Sequence, residues 1–216
     1  MNTFQIIAVV FAAVVNCLHF YFSFVSNLLM RRVTKPFCMS SLILILISFG
    51  CTDYLLYSAV SLALLGDVFL MFKNRKFFYA GTLSFFLSHL MYILKVFTIL
   101  GIHGNGPFYV VWLILFVSLT FTFGFMLRKK FKVLSYLGSA YFMVLFCEFL
   151  ILIYLFVKEL NLFILLSSFG VLLHILSDAI LCLARFSQTK IKRKDFFVMI
   201  PYVLGQFLIC LGLFLC

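Results

Sequence analysis

The chain has 216 residues, of which 66% are hydrophobic and 11% are charged, and it includes 31 phenylalanines. A soluble domain of this length cannot bury so much apolar surface in one core, so the composition indicates an integral membrane protein with a single domain. The net charge of +11 does not indicate nucleic-acid binding, because the basic residues form short clusters between apolar runs and not one continuous face.

The apolar runs predict an all-α membrane protein with eight transmembrane helices, each needing roughly 20 apolar residues. The first run lacks a basic segment and a cleavage site, so we interpret it as a retained span and not a removed signal. The run over residues 37–72 is too long for one helix. Thr52 or Asp53 would cap a new helix within it, so we divide it into a hairpin. The predicted spans are 4–25, 37–52, 54–72, 77–99, 107–127, 134–157, 161–184 and 196–215.

The charges support this division of the chain. Of the 17 Lys and Arg residues, 15 fall in alternate connections, and only Lys95 and Lys158 lie elsewhere. The positive-inside rule therefore places the basic connections in the cytoplasm and both termini on the opposite side. The expected location is a bacterial inner membrane or the eukaryotic endoplasmic reticulum.

Three acidic side chains, Asp67, Glu148 and Asp178, fall within the predicted spans, and two histidines, His89 and His174, lie near the middle of their spans. A charged side chain in the bilayer centre costs about 2.5–3.5 kcal/mol on insertion scales, so such residues usually face a protein interior or cavity. Counted along their helices at about 1.5 Å per residue, Asp67 and Asp178 lie at the same depth, roughly 8–10 Å inside the cytoplasmic boundary.

On three predicted helices, polar and small side chains recur at helical spacing and so share one face. These sets are Ser167, Gly170, His174, Asp178 and Arg185; Gly81, Ser84, Ser88, Tyr92 and Lys95, with His89 at their edge; and Tyr202 with Gln206. Small and polar residues also join transmembrane helices, so the Ser and Gly residues indicate packing more often than chemistry. The two aspartates reverse this balance, because packing does not require a carboxylate.

Several of these segments resemble the signatures of the YhhN-like family of membrane proteins, which includes the lysoplasmalogenases. Residues 61–70 read SLALLGDVFL and resemble its SxxxxGDxxL, and residues 81–92 resemble its GxxxFxxxHxxY. Residues 170–186 resemble its G…SD…RF segment and residues 202–206 its YxxxQ, while Lys35 and Pro36 fit its KP. The resemblance runs in order over residues 35–212. His174 and Glu148 are not part of that pattern.

The resemblance implies an eight-helix fold that hydrolyses the vinyl ether bond of lysoplasmalogens to a fatty aldehyde and a glycerophospho-base. Its substrate would be a lysophospholipid. The chemistry suits two carboxylates, since glycosidases meet a similar cationic transition state with one protonated and one ionised carboxyl group. We predict Asp67 and Asp178 as the catalytic pair, in either order of roles. The predicted substrate-binding or orienting residues are His89, Tyr92, Tyr202, Gln206, Ser88, Ser177 and His174.

Other mechanisms and functions have weaker support in the sequence. His174 and Asp178 have the spacing to share a metal, but no HExxH motif is present, and no GxSxG elbow indicates a serine hydrolase. The seven cysteines form no CxxC pair. We predict no cofactor. A proton-coupled transporter with an Asp/His relay and a non-enzymatic lipid-binding protein remain the alternatives.

Overall fold

The computed structural model describes residues 1–72, 74–101, 133–186 and 192–216, and within these ranges the chain forms helices and no strand. The predicted all-α class is thus confirmed for the described residues. The helices are α1 (Thr3–Phe24), α2 (Leu28–Ser48), α3 (Tyr54–Leu70), α4 (Arg75–Ile99), α5 (Val133–Glu159), α6 (Leu162–Phe186) and α7 (Lys194–Leu215). The predicted span 107–127 lies outside the described residues.

Five of the described helices, α1, α4, α5, α6 and α7, are long and apolar enough to cross a membrane. Helix α3 is apolar but has only 17 residues. Helix α2 carries Arg31, Arg32 and Lys35 in its first turns. The protein is therefore a multi-pass membrane protein by composition and helix length, while the count of eight spans and their orientation remain predictions.

Helix α2 begins at Leu28, nine residues before the predicted start at residue 37. The side chain of Asn27 caps it by accepting a hydrogen bond from the backbone N–H of Met30 at 3.2 Å. The prediction treated this stretch as a connecting loop because it is basic and contains Pro36. As a consequence of the earlier start, Arg31, Arg32 and Lys35 belong to the first turns of α2 and not to a loop.

Asp53 caps α3, as one of the two predicted alternatives, by accepting from the backbone N–H of Leu55 at 2.9 Å. Its other carboxylate oxygen lies 2.6 Å from the ammonium of Lys95, close to the end of α4. This ion pair joins the two helices at the end of the bundle away from the basic connections. It also explains why Lys95 departs from the segregation of basic residues.

Helices α6 and α7 approach closely at two glycines. A Cβ atom added at Gly170 would lie 2.8 Å from the carbonyl oxygen of Gly205, and one added at Gly205 would lie 2.8 Å from that of Gly170. Such contacts are typical of small residues that let transmembrane backbones approach. The close crossing places Ser177 beside Val198, whose carbonyl accepts its hydroxyl proton at 2.9 Å.

The predicted orientation has a direct test. A cysteine at Glu159, the last residue of α5, should react with a membrane-impermeant maleimide added outside intact cells, because the positive-inside rule places the connection that follows it outside. A cysteine at Lys76, at the start of α4, should react only after permeabilisation. If the cysteine at position 76 alone reacted from outside, the topology would be the inverse of the predicted one.

Candidate active site

A cavity of about 280 Å³ lies at the basic end of the bundle and is lined by both predicted catalytic aspartates. Helices α2, α3, α4, α6 and α7 contribute most of its wall, and His19 of α1 completes it among the described residues. Tyr202 and Ser177 line the same cavity. The two carboxylates that the sequence placed at one depth thus share one space.

Asp67, on α3, is 1% exposed and is held by groups from two other helices. The ammonium of Lys35 lies 3.1 Å from its Oδ1, and the hydroxyl of Tyr202 donates to its Oδ2 at 2.8 Å. Each carboxylate oxygen therefore has a donor, and one of the two donors carries a positive charge. Charge-assisted contacts of this kind favour an ionised carboxylate.

Asp178, on α6, has a different environment. The hydroxyl of Tyr141, on α5, donates to its Oδ2, and Nε2 of His174 lies 3.6 Å from the same oxygen. Among the side chains that the structure describes, which do not include that of Arg185 on the same helix, no Lys or Arg pairs with Asp178. The two aspartates therefore face one cavity with unlike partners, and this asymmetry is what an acid and an anion require.

A hydrogen-bonded chain leads away from Asp178 into the bundle. Tyr92 donates to Oε1 of Gln206 at 3.0 Å, which leaves the amide N–H of Gln206 to donate to Nδ1 of His174 at 3.2 Å. His174 then carries its proton on Nε2, which lies 3.0 Å from the hydroxyl oxygen of Tyr141. All donors in this chain point toward Asp178, so the chain fixes the direction in which Tyr141 donates.

His89, predicted as a substrate-binding or orienting residue, is not among the residues that line the cavity. Its Nδ1 lies 2.6 Å from Oε2 of Glu148, and both side chains are fully buried. The His89 ring stands edge-on to that of His174, with ring centroids 4.5 Å apart. His89 and Glu148 therefore lie outside the cavity lining, with the His89 ring packed against His174 and Tyr141.

The other predicted residues divide between the cavity and the helix contacts. Tyr92 and Gln206 belong to the buried chain and do not line the cavity. Ser88 donates to the carbonyl of Ala59 at 2.7 Å, so it joins α4 to α3. Ser177 lines the cavity, although its hydroxyl already donates a hydrogen bond to the backbone carbonyl of Val198.

Lys35 and Tyr141 are site residues that the sequence does not predict. Lys35 belongs to a predicted basic connection, where the positive-inside rule already accounts for its charge. Tyr141 has no charge and belongs to an apolar run, so its residue type alone does not indicate a functional site. Its spacing does, since Tyr141 and Glu148 are seven residues apart and so lie on the same face of α5, toward the interior.

The i,i+4 pair of His174 and Asp178 is engaged by protein groups. Both ring nitrogens of His174 already have hydrogen-bond partners, in Gln206 and Tyr141. Within the described ranges no three His, Cys, Asp or Glu side chains are grouped as metal ligands. The alternative of a metal shared by these two residues therefore has no support in the geometry.

Comparison with known proteins gives one match. The model of the YhhN family matches residues 30–213, a range that includes both aspartates, Lys35, Tyr141 and the whole hydrogen-bonded chain. No curated protein and no solved structure matches the chain.

Proposed function

The chain belongs to the YhhN family, and from this premise we propose that it is a membrane-embedded hydrolase of lysoplasmalogens. It would cleave the vinyl ether bond and release a fatty aldehyde and a glycerophospho-base. The observation that supports this most is the pair of aspartates with unlike partners in one cavity. The cavity lies at the basic end of the bundle, where the headgroup region of a lysolipid would meet the protein.

Vinyl ether hydrolysis begins with a proton transfer to carbon. The proton adds to the alkene carbon that is not bound to oxygen, and the other carbon becomes an oxocarbenium cation. Water attacks this cation and loses a proton, which gives a hemiacetal. The hemiacetal then collapses to the aldehyde and the free glycerol hydroxyl, so the net reaction consumes one water and no cofactor.

In this proposal Asp178 is the acid and Asp67 is the anion. Asp178 has no cationic partner among the described side chains and receives only hydrogen bonds from neutral groups, which leaves it able to hold a proton. Asp67 is paired with Lys35, so it stays ionised, stabilises the cation and accepts the proton of the attacking water. A positioned acid or base contributes about 10²–10⁴-fold to the rate.

The buried chain supports these roles by holding the acid in place. Because Tyr141 accepts from His174 and donates to Asp178, it occupies one carboxyl oxygen and leaves the other for the proton. Tyr202, on α7, likewise holds one oxygen of Asp67, and the other oxygen of Asp67 lies beside the ammonium of Lys35. Side chains locked by such neighbours keep reacting groups within the narrow geometry that proton transfer needs.

The test is aldehyde release by the purified full-length chain. Lysoplasmenyl-ethanolamine should give a fatty aldehyde, whereas its saturated ether analogue should remain intact, because only the vinyl ether can be protonated at carbon. A transporter or a non-enzymatic lipid-binding protein would leave both lipids unchanged. Absence of aldehyde from a folded preparation would therefore reject the proposal.

A further inference from the structure

The mouth of the cavity contains more positive charge than the aspartates can neutralise. Four basic side chains line it: Arg31, Arg32, Lys35 and Lys194. Lys35 pairs with Asp67, as described above. Arg31, from the first turn of α2, pairs with Asp195, from the first turn of α7. Arg32 and Lys194 remain, and within the described part of the chain neither makes an ion pair.

The positive-inside rule explains why basic residues occur on this side, but it does not explain why four of them line one cavity. Arg75 and Lys76 belong to the same side and do not line it. The guanidinium of Arg193 lies over the ring of Phe24, 3.8 Å from its centroid, and is likewise not a lining group. The direction of Arg32 and Lys194 therefore needs a separate explanation.

We propose that Arg32 and Lys194 form a binding site for the phosphodiester of a single-chain lipid whose reacting bond lies at the aspartates. The proposal rests on the proposed function for the nature of that bond. Two unpaired cations at the entrance of a cavity suit an anion, and guanidinium and ammonium groups both bind phosphate oxygens well.

The depth of the two cations fits this arrangement. Arg32 is three residues before Lys35 on α2, which places it about 4.5 Å nearer the mouth than the Lys35–Asp67 pair. Lys194 is eight residues before Tyr202 on α7, or about 12 Å nearer the mouth, and it lines the same cavity. In a lysophospholipid only the glycerol separates the phosphate from the ether oxygen, so both groups would occupy this one cavity.

The ion pair of Arg31 and Asp195 joins α2 to α7 beside the same entrance. With Asp195 neutralised by Arg31, no uncompensated carboxylate faces the phosphate at the mouth among the described residues. Repulsion between a carboxylate and the phosphate of the lipid is thereby avoided. The same arrangement gives no advantage to a lipid without phosphate, so it predicts selectivity for phosphorylated over neutral single-chain lipids.

Binding measurements with non-cleavable lipids test this independently of turnover. The purified full-length chain in nanodiscs is titrated with 1-alkyl-glycerophosphoethanolamine and with 1-alkylglycerol, which lacks the phosphate. Arg32→Gln and Lys194→Gln should each raise the Kd of the phospholipid about tenfold, the lower end of the contribution of one charge-assisted hydrogen bond. Neither variant should change the Kd of 1-alkylglycerol. Arg75→Gln and Lys76→Gln are the matched controls, and they should change neither Kd.

Three results would overturn the proposal. One is an unchanged phospholipid Kd in both variants, and another is an equal loss of affinity for the two lipids. The third is displacement of the phospholipid by inorganic phosphate as readily as by unlabelled phospholipid, which would indicate a site for free phosphate. Failure here with intact aldehyde release leaves the proposed hydrolysis standing. Selective phospholipid binding without aldehyde release would reject the hydrolysis and leave the phosphate site.

Discussion

Asp67→Asn and Asp178→Asn should each lower the turnover of lysoplasmenyl-ethanolamine by about 10²–10⁴-fold, the range that one positioned acid or base contributes. Asparagine keeps the volume of aspartate and can still accept the hydrogen bond from Tyr202 or Tyr141. It cannot hold a transferable proton or a negative charge. The loss should therefore appear in kcat for aldehyde release, with little change in the affinity for the saturated ether analogue.

Glu159→Gln serves as the matched control, since it replaces an exposed carboxylate far from the cavity and should keep normal turnover. Helical content and thermal unfolding of each variant show whether it is folded. Near-normal turnover in a folded Asp67→Asn or Asp178→Asn variant would refute the paired-carboxylate mechanism.

Lys35→Met should destabilise the protein strongly, because it removes the only cationic partner that the described residues provide for Asp67. The side chain of Asp67 is 2% exposed and that of Lys35 is 17% exposed, so water screens the pair little. Removing one partner of a buried ion pair typically costs about 3–5 kcal/mol, because the remaining charge is left uncompensated. The expected result is a large fall in the temperature of thermal unfolding, together with loss of turnover.

The double variant Lys35→Met/Asp67→Asn separates stability from chemistry. With both charges removed, no uncompensated ion remains in the cavity wall, so most of the lost stability should return. Turnover should not return, since the anion itself is missing. Additive destabilisation in the double variant would show that Lys35 and Asp67 contribute independently and that the ion pair is not what holds this end of the bundle.

Much of the fold follows from the sequence because hydropathy and capping act locally. Asp53 caps the start of α3 because its carboxylate accepts a hydrogen bond from the backbone N–H of Leu55, two residues later. Such a local contact can be predicted from the sequence. The common location of Asp67 and Asp178 was predictable for a related reason, since residue counts along a helix give depth. The predicted span 107–127 and its basic flank lie outside the described residues and stay predictions.

The start of α2 and the role of Lys35 were not predictable in this way. A run with Arg31, Arg32, Lys35 and Pro36 has the composition of a loop, and its long-range contacts, from Arg31 to Asp195 and from Lys35 to Asp67, are not visible in the sequence. Sequence spacing reports the face of one helix but not which face it meets. For the same reason the sequence does not show that the partner of His89 is Glu148 on α5.

Tyr141 illustrates the same limit for neutral side chains. Its hydroxyl joins His174 to Asp178. A tyrosine in an apolar span is more often a packing residue, however, and Tyr141 belongs to none of the motifs described above. The direction of donation along the hydrogen bonds from Tyr92 to Asp178 depends on Gln206, whose amide could point either way. Its orientation follows from its two partners, Tyr92 and His174, which the sequence does not show to be neighbours.

The central claim is that the protein transfers a proton to the vinyl ether carbon, and isotopic labelling of the aldehyde tests it most directly. The wild-type protein is incubated with lysoplasmenyl-ethanolamine in heavy water, and the aldehyde is reduced at once to the alcohol so that later exchange cannot add label. Protonation at carbon predicts one deuterium on the carbon next to the former carbonyl, and none in samples without protein because no alcohol forms there. A parallel incubation in water labelled with oxygen-18 distinguishes this route from cleavage on the glycerol side: attack of water on the cation leaves the glycerol hydroxyl unlabelled, and labelled oxygen in the glycerophospho-base would contradict the account.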